Sequence, residues 1–84
     1  MLSSTNVAGV GRVEVKGDTI IKTITQTTTG SAYMKIPGMV IAIQQAGYTN
    51  TILRINKSHP YMTRIETQIS LLKQAIPNIS IEKY

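Results

Sequence analysis

Apolar residues recur at intervals of three and four positions in the last third of the chain, a spacing that places them on one side of a helix. The members of this stripe are Met62, Ile65, Ile69, Leu72 and Ile76. Ser58 is expected to cap the N-terminus of the helix with Pro60 in its first turn, and Pro77 prevents its continuation. The helix therefore has one apolar face, which another layer of the fold must cover.

Segments rich in β-branched residues lie before and after this helix. The alternation of residues 49–56 divides their side chains into two groups: Thr51, Leu53 and Ile55 on one face, and Ile52 and Arg54 on the other. Residues 78–84 alternate in the same way and predict a final strand. Because strands that are joined through a helix and lie in one sheet are connected by a right-handed crossover, this half of the chain predicts a β-α-β unit.

The N-terminal half of the chain predicts a β-hairpin. Apolar and charged residues alternate over residues 12–16, residues 16–18 (Lys-Gly-Asp) are a turn signal, and a β-branched run covers residues 19–28. Residues 27–31 are typical of a hydroxyl-rich loop, which could hold a phosphate. Residues 1–11 have no periodic pattern, so they predict a flexible or extended arm.

Residues 31–46 fit two arrangements, either one kinked helix or a loop followed by a shorter helix. We favour a helix that begins at Pro37 and ends at Gly47, because proline suits the first helical position and glycine suits the C-terminal end. The expected buried side of this helix consists of Met39, Ala42, Ile43 and Ala46. Residues 33–36 would then form a loop or a short strand.

Together these elements predict an α/β fold in the order β-β-α-β-α-β. The expected architecture is a two-layer sandwich with both helices on one face of a small mixed sheet, and residues 12–84 form a single domain. A chain of 84 residues has no further layer for the opposite face, so Ile20 and Ile52 are expected to meet a partner or solvent there. Because such a small core gives little surplus stability, we also expect a homo- or hetero-oligomer.

The residue types that catalysis requires are scarce in this sequence. The chain has no Cys, one His and four acidic residues, and it lacks the glycine-rich loops that bind nucleotides. These absences predict a protein that is not an enzyme and that uses neither a metal nor a cofactor. The longest apolar run, residues 39–43, is too short to cross a membrane, and the first eleven residues lack the features of a signal peptide. An intracellular location, in the cytoplasm or nucleus, is therefore expected.

The chain carries nine basic residues and four acidic ones, and its net charge of +5 favours polyanionic partners. Basic, hydroxyl and aromatic side chains are concentrated around the predicted start of the last helix, where unpaired amides can bind a phosphate and rings can stack on unpaired bases. The candidate nucleic-acid-binding residues are Arg54, Lys57, Ser58, His59, Tyr61 and Arg64, with Arg12, Lys16, Lys22 and Lys35 as further contributors. In the alternative interpretation Ser58 only caps the helix, His59 is a solvated loop residue and Tyr61 packs.

Three segments carry a resemblance to a known family: residues 47–55 (GYTNTILRI), 56–62 (NKSHPYM) and 75–81 (AIPNISI). They look like three parts of the Alba superfamily, namely the glycine, strand and basic residue that follow its first helix, its loop, and its proline-containing turn with the third strand. This superfamily includes archaeal chromatin proteins and small protein subunits of eukaryotic RNase P and MRP. The resemblance covers residues 19–84 and implies nucleic-acid binding as a homodimer or heterodimer, with Lys57 and its neighbours as contacts.

This sequence departs from the family pattern at three places. Lys57 and Ser58 stand where the family has a glycine-arginine pair, Pro37 and Gly38 interrupt the region of its first helix, and its final long hairpin has no counterpart here. The exact contacts to nucleic acid would therefore differ from those of the family.

Two hypotheses of function follow from the sequence. The first is a module that binds RNA or DNA largely through phosphates, as a dimer or as a subunit of a ribonucleoprotein particle. The second is a structural or protein-interaction subunit that docks another chain on the open sheet face or on a strand edge. A subunit of a virus particle is one example.

Overall fold

The computed structural model of the chain describes residues 3–24 and 34–84. Within these ranges, a five-stranded sheet is covered on one face by two helices. The elements, in chain order, are β1 (Ser3–Val7), β2 (Gly11–Lys16), β3 (Thr19–Ile24), α1 (Ile36–Gln45), β4 (Asn50–Ile55), α2 (Met62–Leu72) and β5 (Ile79–Lys83). The strands are neighbours in the sheet in that same order. The predicted α/β sandwich is confirmed, with one strand more than expected.

The additional strand lies in residues 1–11, which were expected to be a flexible or extended arm with no assigned element. Strand β1 pairs antiparallel with β2, and Val7, the last residue of β1, is buried in the core. A tight turn joins the two strands, in which the Val10 amide donates to the Val7 carbonyl at 2.9 Å and Gly9 adopts a φ of +83°. The prediction missed β1 because four of its five side chains are exposed and polar, so the strand carries no apolar alternation.

The predicted hairpin is confirmed as β2 and β3. Their register pairs Lys16 with Thr19 around a two-residue turn, in which Gly17 adopts a φ of +63° that favours glycine. Strand β3 is described as far as Ile24. Residues 25–28 of the predicted run, the hydroxyl-rich segment 27–31 and the start of the segment 31–46 lie outside the described residues.

Helix α1 begins at Ile36 with Pro37 in its first turn, as predicted to within one residue. Residues 34–35 form a turn before it. The buried residues of α1 are Ile36, Val40 and Ile43, whereas Met39 and Ala42 are half-buried and Ala46 is exposed. The prediction therefore placed the buried side at a different angle around the helix axis. It did so because it assigned Ile36 to the preceding loop and not to the helix. Gly47, with a φ of +97°, follows the end of the helix.

Strands β3, β4 and β5 are parallel, and the two crossovers through α1 and α2 place both helices on one face, here called the helix face. Thr51, Leu53 and Ile55 of β4 point into the core, as predicted. Ile20, which was expected on the uncovered face, is fully buried because it pairs with Thr51 in the parallel register. Ile21 takes that place instead, beside Ile52 on what is here called the open face.

The predicted apolar stripe of α2 packs on the core. Ile65 and Ile69 are buried, while Met62, Leu72 and Ile76 are half-buried against the same cluster. The helix starts at Met62, four residues after the expected cap Ser58, and it ends at Leu72 with a further turn that brings the Ile76 amide to the Leu72 carbonyl at 2.8 Å. The N-cap position is Tyr61, which makes no side-chain cap bond.

Candidate nucleic-acid interface

Most of the basic side chains lie towards one end of the sheet. The carboxyl ends of β3, β4 and β5 meet at the same edge because these strands are parallel, and β2, which runs antiparallel to β3, begins there. The turn before α1 and the loop between β4 and α2 start from this edge. We call this end of the molecule the carboxyl edge.

Most of the excess positive charge of the chain lies at the carboxyl edge. Seven of its nine basic residues lie in this half of the described fold: Arg12, Lys22, Lys35, Arg54, Lys57, Arg64 and Lys83. The same half contains two acidic residues, Glu66 and Glu82. The remaining charged residues are Lys16, Lys73 and Asp18 in the opposite half and Glu14 in mid-sheet, opposite Ile21 and two residues from Arg12 on the same face. Most of the excess positive charge therefore lies at one end of the molecule.

Both acidic residues at the carboxyl edge form ion pairs. Glu82 Oε1 lies 3.3 Å from Arg54 Nε on the open face, and Glu66 Oε1 lies 3.2 Å from Lys83 Nζ. The Arg54 contact lacks hydrogen-bond geometry, so Nε is left without a hydrogen-bond partner among the described residues. Arg54 was predicted as a direct contact, and the structure places it in this pair, with its guanidinium 5.0 Å from the centre of the Tyr84 ring.

The loop between β4 and α2 is held by its own polar groups. Asn56 Oδ1 accepts a hydrogen bond from the Ser58 amide at 2.8 Å, and the Asn56 carbonyl accepts one from the His59 amide at 2.9 Å. The Lys57 amide donates to the Tyr84 carbonyl at 2.7 Å. Because the backbone is fixed on both sides, the exposed side chains of Lys57 and Ser58 are presented at a defined place on the carboxyl edge.

His59 lies in the interior, where it organises the entrance to α2. Its residue exposure is 4%, and its Nδ1 accepts a hydrogen bond from the Tyr61 amide at 3.0 Å. The neutral ring therefore carries its proton on Nε2, which has no hydrogen-bond partner within the described part of the chain. Neither predicted role, a flat face for a base or a solvated loop residue, fits a buried ring. The ring accepts the amide of the N-cap residue and no amide of the first helical turn, so it fixes the turn before α2, and the capping role expected for Ser58 is not filled by a side chain.

Tyr61, Arg64 and Lys35 complete the predicted set. Tyr61 is half-buried against the core, and the Arg64 guanidinium lies 5.8 Å from the centre of its ring. Lys35 is exposed at the N-cap position of α1, where its carbonyl accepts a hydrogen bond from the Met39 amide at 3.0 Å. These seven residues thus lie at the carboxyl edge, but His59 is internal and Arg54 is paired. Of the other further contributors, Arg12 and Lys22 lie in the same half, whereas Lys16 lies in the opposite one.

Four further residues of this edge were not among the predicted contacts: Glu66, Glu82, Lys83 and Tyr84. Two of them could have been found from the alternation of the last strand. It places Glu82 and Tyr84 on the same face of β5, and parallel pairing of β4 with β5 then brings that face beside Arg54.

Within residues 3–24 and 34–84, no helix is long and apolar enough to cross a membrane. No group of three or more His, Asp or Glu side chains in these same ranges could hold a metal ion. Comparison of the chain with protein-family models, with curated proteins and with solved structures finds no significant match. The resemblance to the Alba superfamily therefore stays a prediction.

Proposed function

We propose that this chain binds RNA or DNA at the carboxyl edge, largely through phosphate contacts. The observation that carries the proposal is the charge separation, in which one end of the fold holds seven of the nine basic residues and only two of the four acidic ones. At physiological salt, charges act over about 8 Å. The described fold extends over 30 × 26 × 21 Å, so the two ends present different fields to an approaching polyanion.

The geometry of the edge supports phosphate contacts more than recognition of base edges. The exposed cations Lys35 and Lys57 project from an N-cap position and a turn, where they can reach the backbone of a nucleic acid. Affinity should consequently fall steeply with salt, because each neutralised phosphate releases counterions. With about three to five phosphates contacted, the logarithm of the association constant should fall with the logarithm of salt with a slope of about −2 to −4.

Charge reversal at the two ends of the molecule tests this proposal. The double variant Lys35→Glu/Lys57→Glu removes two cations from the carboxyl edge, and Lys16→Glu/Lys73→Glu makes the same change of net charge in the opposite half. Fluorescence anisotropy with single-stranded RNA and duplex DNA should show at least about tenfold weaker binding and a shallower salt slope for the first variant. The second variant should retain most of the affinity.

Two results would contradict the proposal. Equal losses in the two double variants would mean that net charge alone, and not the carboxyl edge, attracts the polyanion. No binding of the unmodified protein to RNA or DNA at low salt would remove the proposed function altogether.

The second candidate function, a protein-interaction subunit, rests on the open face of the sheet. Ile21 and Ile52 are neighbours there, in a register row that also contains Glu14 and Ser80, and neither helix covers them. Burial of these two side chains by another chain would give an oligomer without nucleic acid. Sizing of the purified protein after nuclease treatment tests it: an oligomer that Ile52→Glu dissociates supports this function, and a monomer excludes self-association through this face.

A further inference from the structure

Tyr84 is anchored at the carboxyl edge by its main chain. Its amide donates to the Ile55 carbonyl at 3.1 Å, which extends the β4–β5 ladder by one residue, and its carbonyl accepts from the Lys57 amide at 2.7 Å. The alternation of β5 places its side chain on the open face together with Glu82. The main chain that carries the ring is therefore fixed between the β4–α2 loop and β4.

The ring of Tyr84 combines an exposed surface with adjacent positive charge. Tyr84 is 41% exposed, and it is the only aromatic residue among the large apolar side chains that are exposed in the described ranges. The Arg54 guanidinium lies 5.0 Å from its centroid, and Glu82 holds that guanidinium from the other side. Exposed aromatic rings beside cations are the surfaces on which proteins stack unpaired bases.

The positive charge continues from Tyr84 across the open face. Extending the β2–β3 register by two residues places Arg12 opposite Thr23, which pairs with Arg54. Arg12 and Arg54 are thus separated by two strand spacings, or about 10 Å, on the same face. A strand of nucleic acid with one base at Tyr84 could place its phosphates near Lys57 on one side and Arg12 on the other.

We infer that the nucleic acid bound at the carboxyl edge is single-stranded, with an unpaired base stacked on Tyr84. The inference rests on the proposed function and specifies its substrate class. A duplex presents phosphates and base edges, whereas the faces of its bases are covered by neighbouring base pairs, so only an unpaired base can use the ring. Stacking on one aromatic side chain is expected to tighten binding about 5- to 150-fold.

The test separates the contribution of bases from that of phosphates. The probes are a thymidine oligonucleotide about a dozen residues long, the same strand with abasic sites throughout, and a duplex of equal length. The unmodified protein should bind the thymidine strand at least about fivefold more tightly than the abasic strand. Tyr84→Leu should remove this preference without changing the salt slope, and Tyr84→Phe should preserve it. Circular dichroism of both variants verifies their fold.

Lys57→Glu is the matched control for charge. It should weaken binding of all three probes and make the salt slope shallower, because Lys57 contributes a phosphate contact and no stacking surface.

Equal affinity of the unmodified protein for the thymidine and abasic strands, or a preference for the duplex, would overturn the inference while the proposed function stands. Absence of binding to every probe would overturn both. Because the comparison of probes uses the unmodified protein, the inference remains testable even if Tyr84→Leu fails to fold.

Discussion

Glu82 limits the positive field at the carboxyl edge, so Glu82→Gln is expected to strengthen binding of nucleic acid. The carboxylate lies 3.3 Å from Arg54 Nε and neutralises a cation on the open face beside Tyr84. The amide of Gln is nearly the same size but carries no charge. The substitution would therefore leave the backbone in place and release Arg54 for a phosphate.

The expected magnitude follows from the exposure of the pair. The two side chains are 35% and 57% exposed, so the ion pair is screened and its loss should change the free energy of unfolding by less than about 1 kcal/mol. Removal of a negative charge that lies about 7 Å from a bound phosphate makes the free energy of binding more favourable by roughly 0.5 kcal/mol in water at low salt. The affinity should rise about two- to fivefold, and one additional phosphate contact would steepen the salt slope by about 0.7 for a single strand.

Fluorescence anisotropy titrations at several salt concentrations measure both quantities. Asp18→Asn is the matched control, because it removes one negative charge from the opposite half of the molecule. It should change the affinity by less than about 1.5-fold, since the site lies more than a Debye length away. The reasoning is refuted if Glu82→Gln binds no more tightly than the unmodified protein, or if Asp18→Asn gives an equal gain.

Two further predictions concern stability, both measured by urea denaturation. His59→Ala should lower the free energy of unfolding by about 2–3 kcal/mol, because it removes the acceptor of the Tyr61 amide and a buried ring. His59→Asn should recover part of the loss, since its Oδ1 can accept the same hydrogen bond. Equal losses in the two variants would contradict the role of this hydrogen bond in the turn before α2. Ile65→Ala should cost about 2–5 kcal/mol, whereas Leu71→Ala, on the exposed side of the same helix, should cost less than about 0.5 kcal/mol. Similar costs at these two positions would contradict the packing of α2.

The helices and inner strands could be predicted because burial imposes a period on their sequences. The alternation of residues 50–55 and the stripe from Met62 to Ile76 both match the burial in the structure. Strand β1 could not be predicted in this way, because an edge strand with exposed polar side chains has no such period. The error at Ile20 arose from the register, which depends on pairing with β4, a strand more than 25 residues away in the sequence.

The location of the candidate site could be predicted from the sequence, but the ion pair of Arg54 with Glu82 could not. The basic residues of 54–64 were evident from the sequence, and parallel strands bring them to one edge. The ion pair of Arg54 joins residues that are 28 positions apart, and it becomes visible only once β4 and β5 are aligned. The burial of His59 likewise follows from the Asn56 turn, which redirects the chain and moves the start of the helix from Ser58 to Met62.

We expect polyanions to contact the carboxyl edge and no other part of the surface. Nuclear magnetic resonance titration of the ¹⁵N-labelled protein with a short single-stranded oligonucleotide locates the contact residue by residue. The account predicts that the largest amide shifts occur at Lys35, at 57–58 and at 83–84. Largest shifts at the turn of residues 17–18 and at 73–75, in the opposite half, would contradict it.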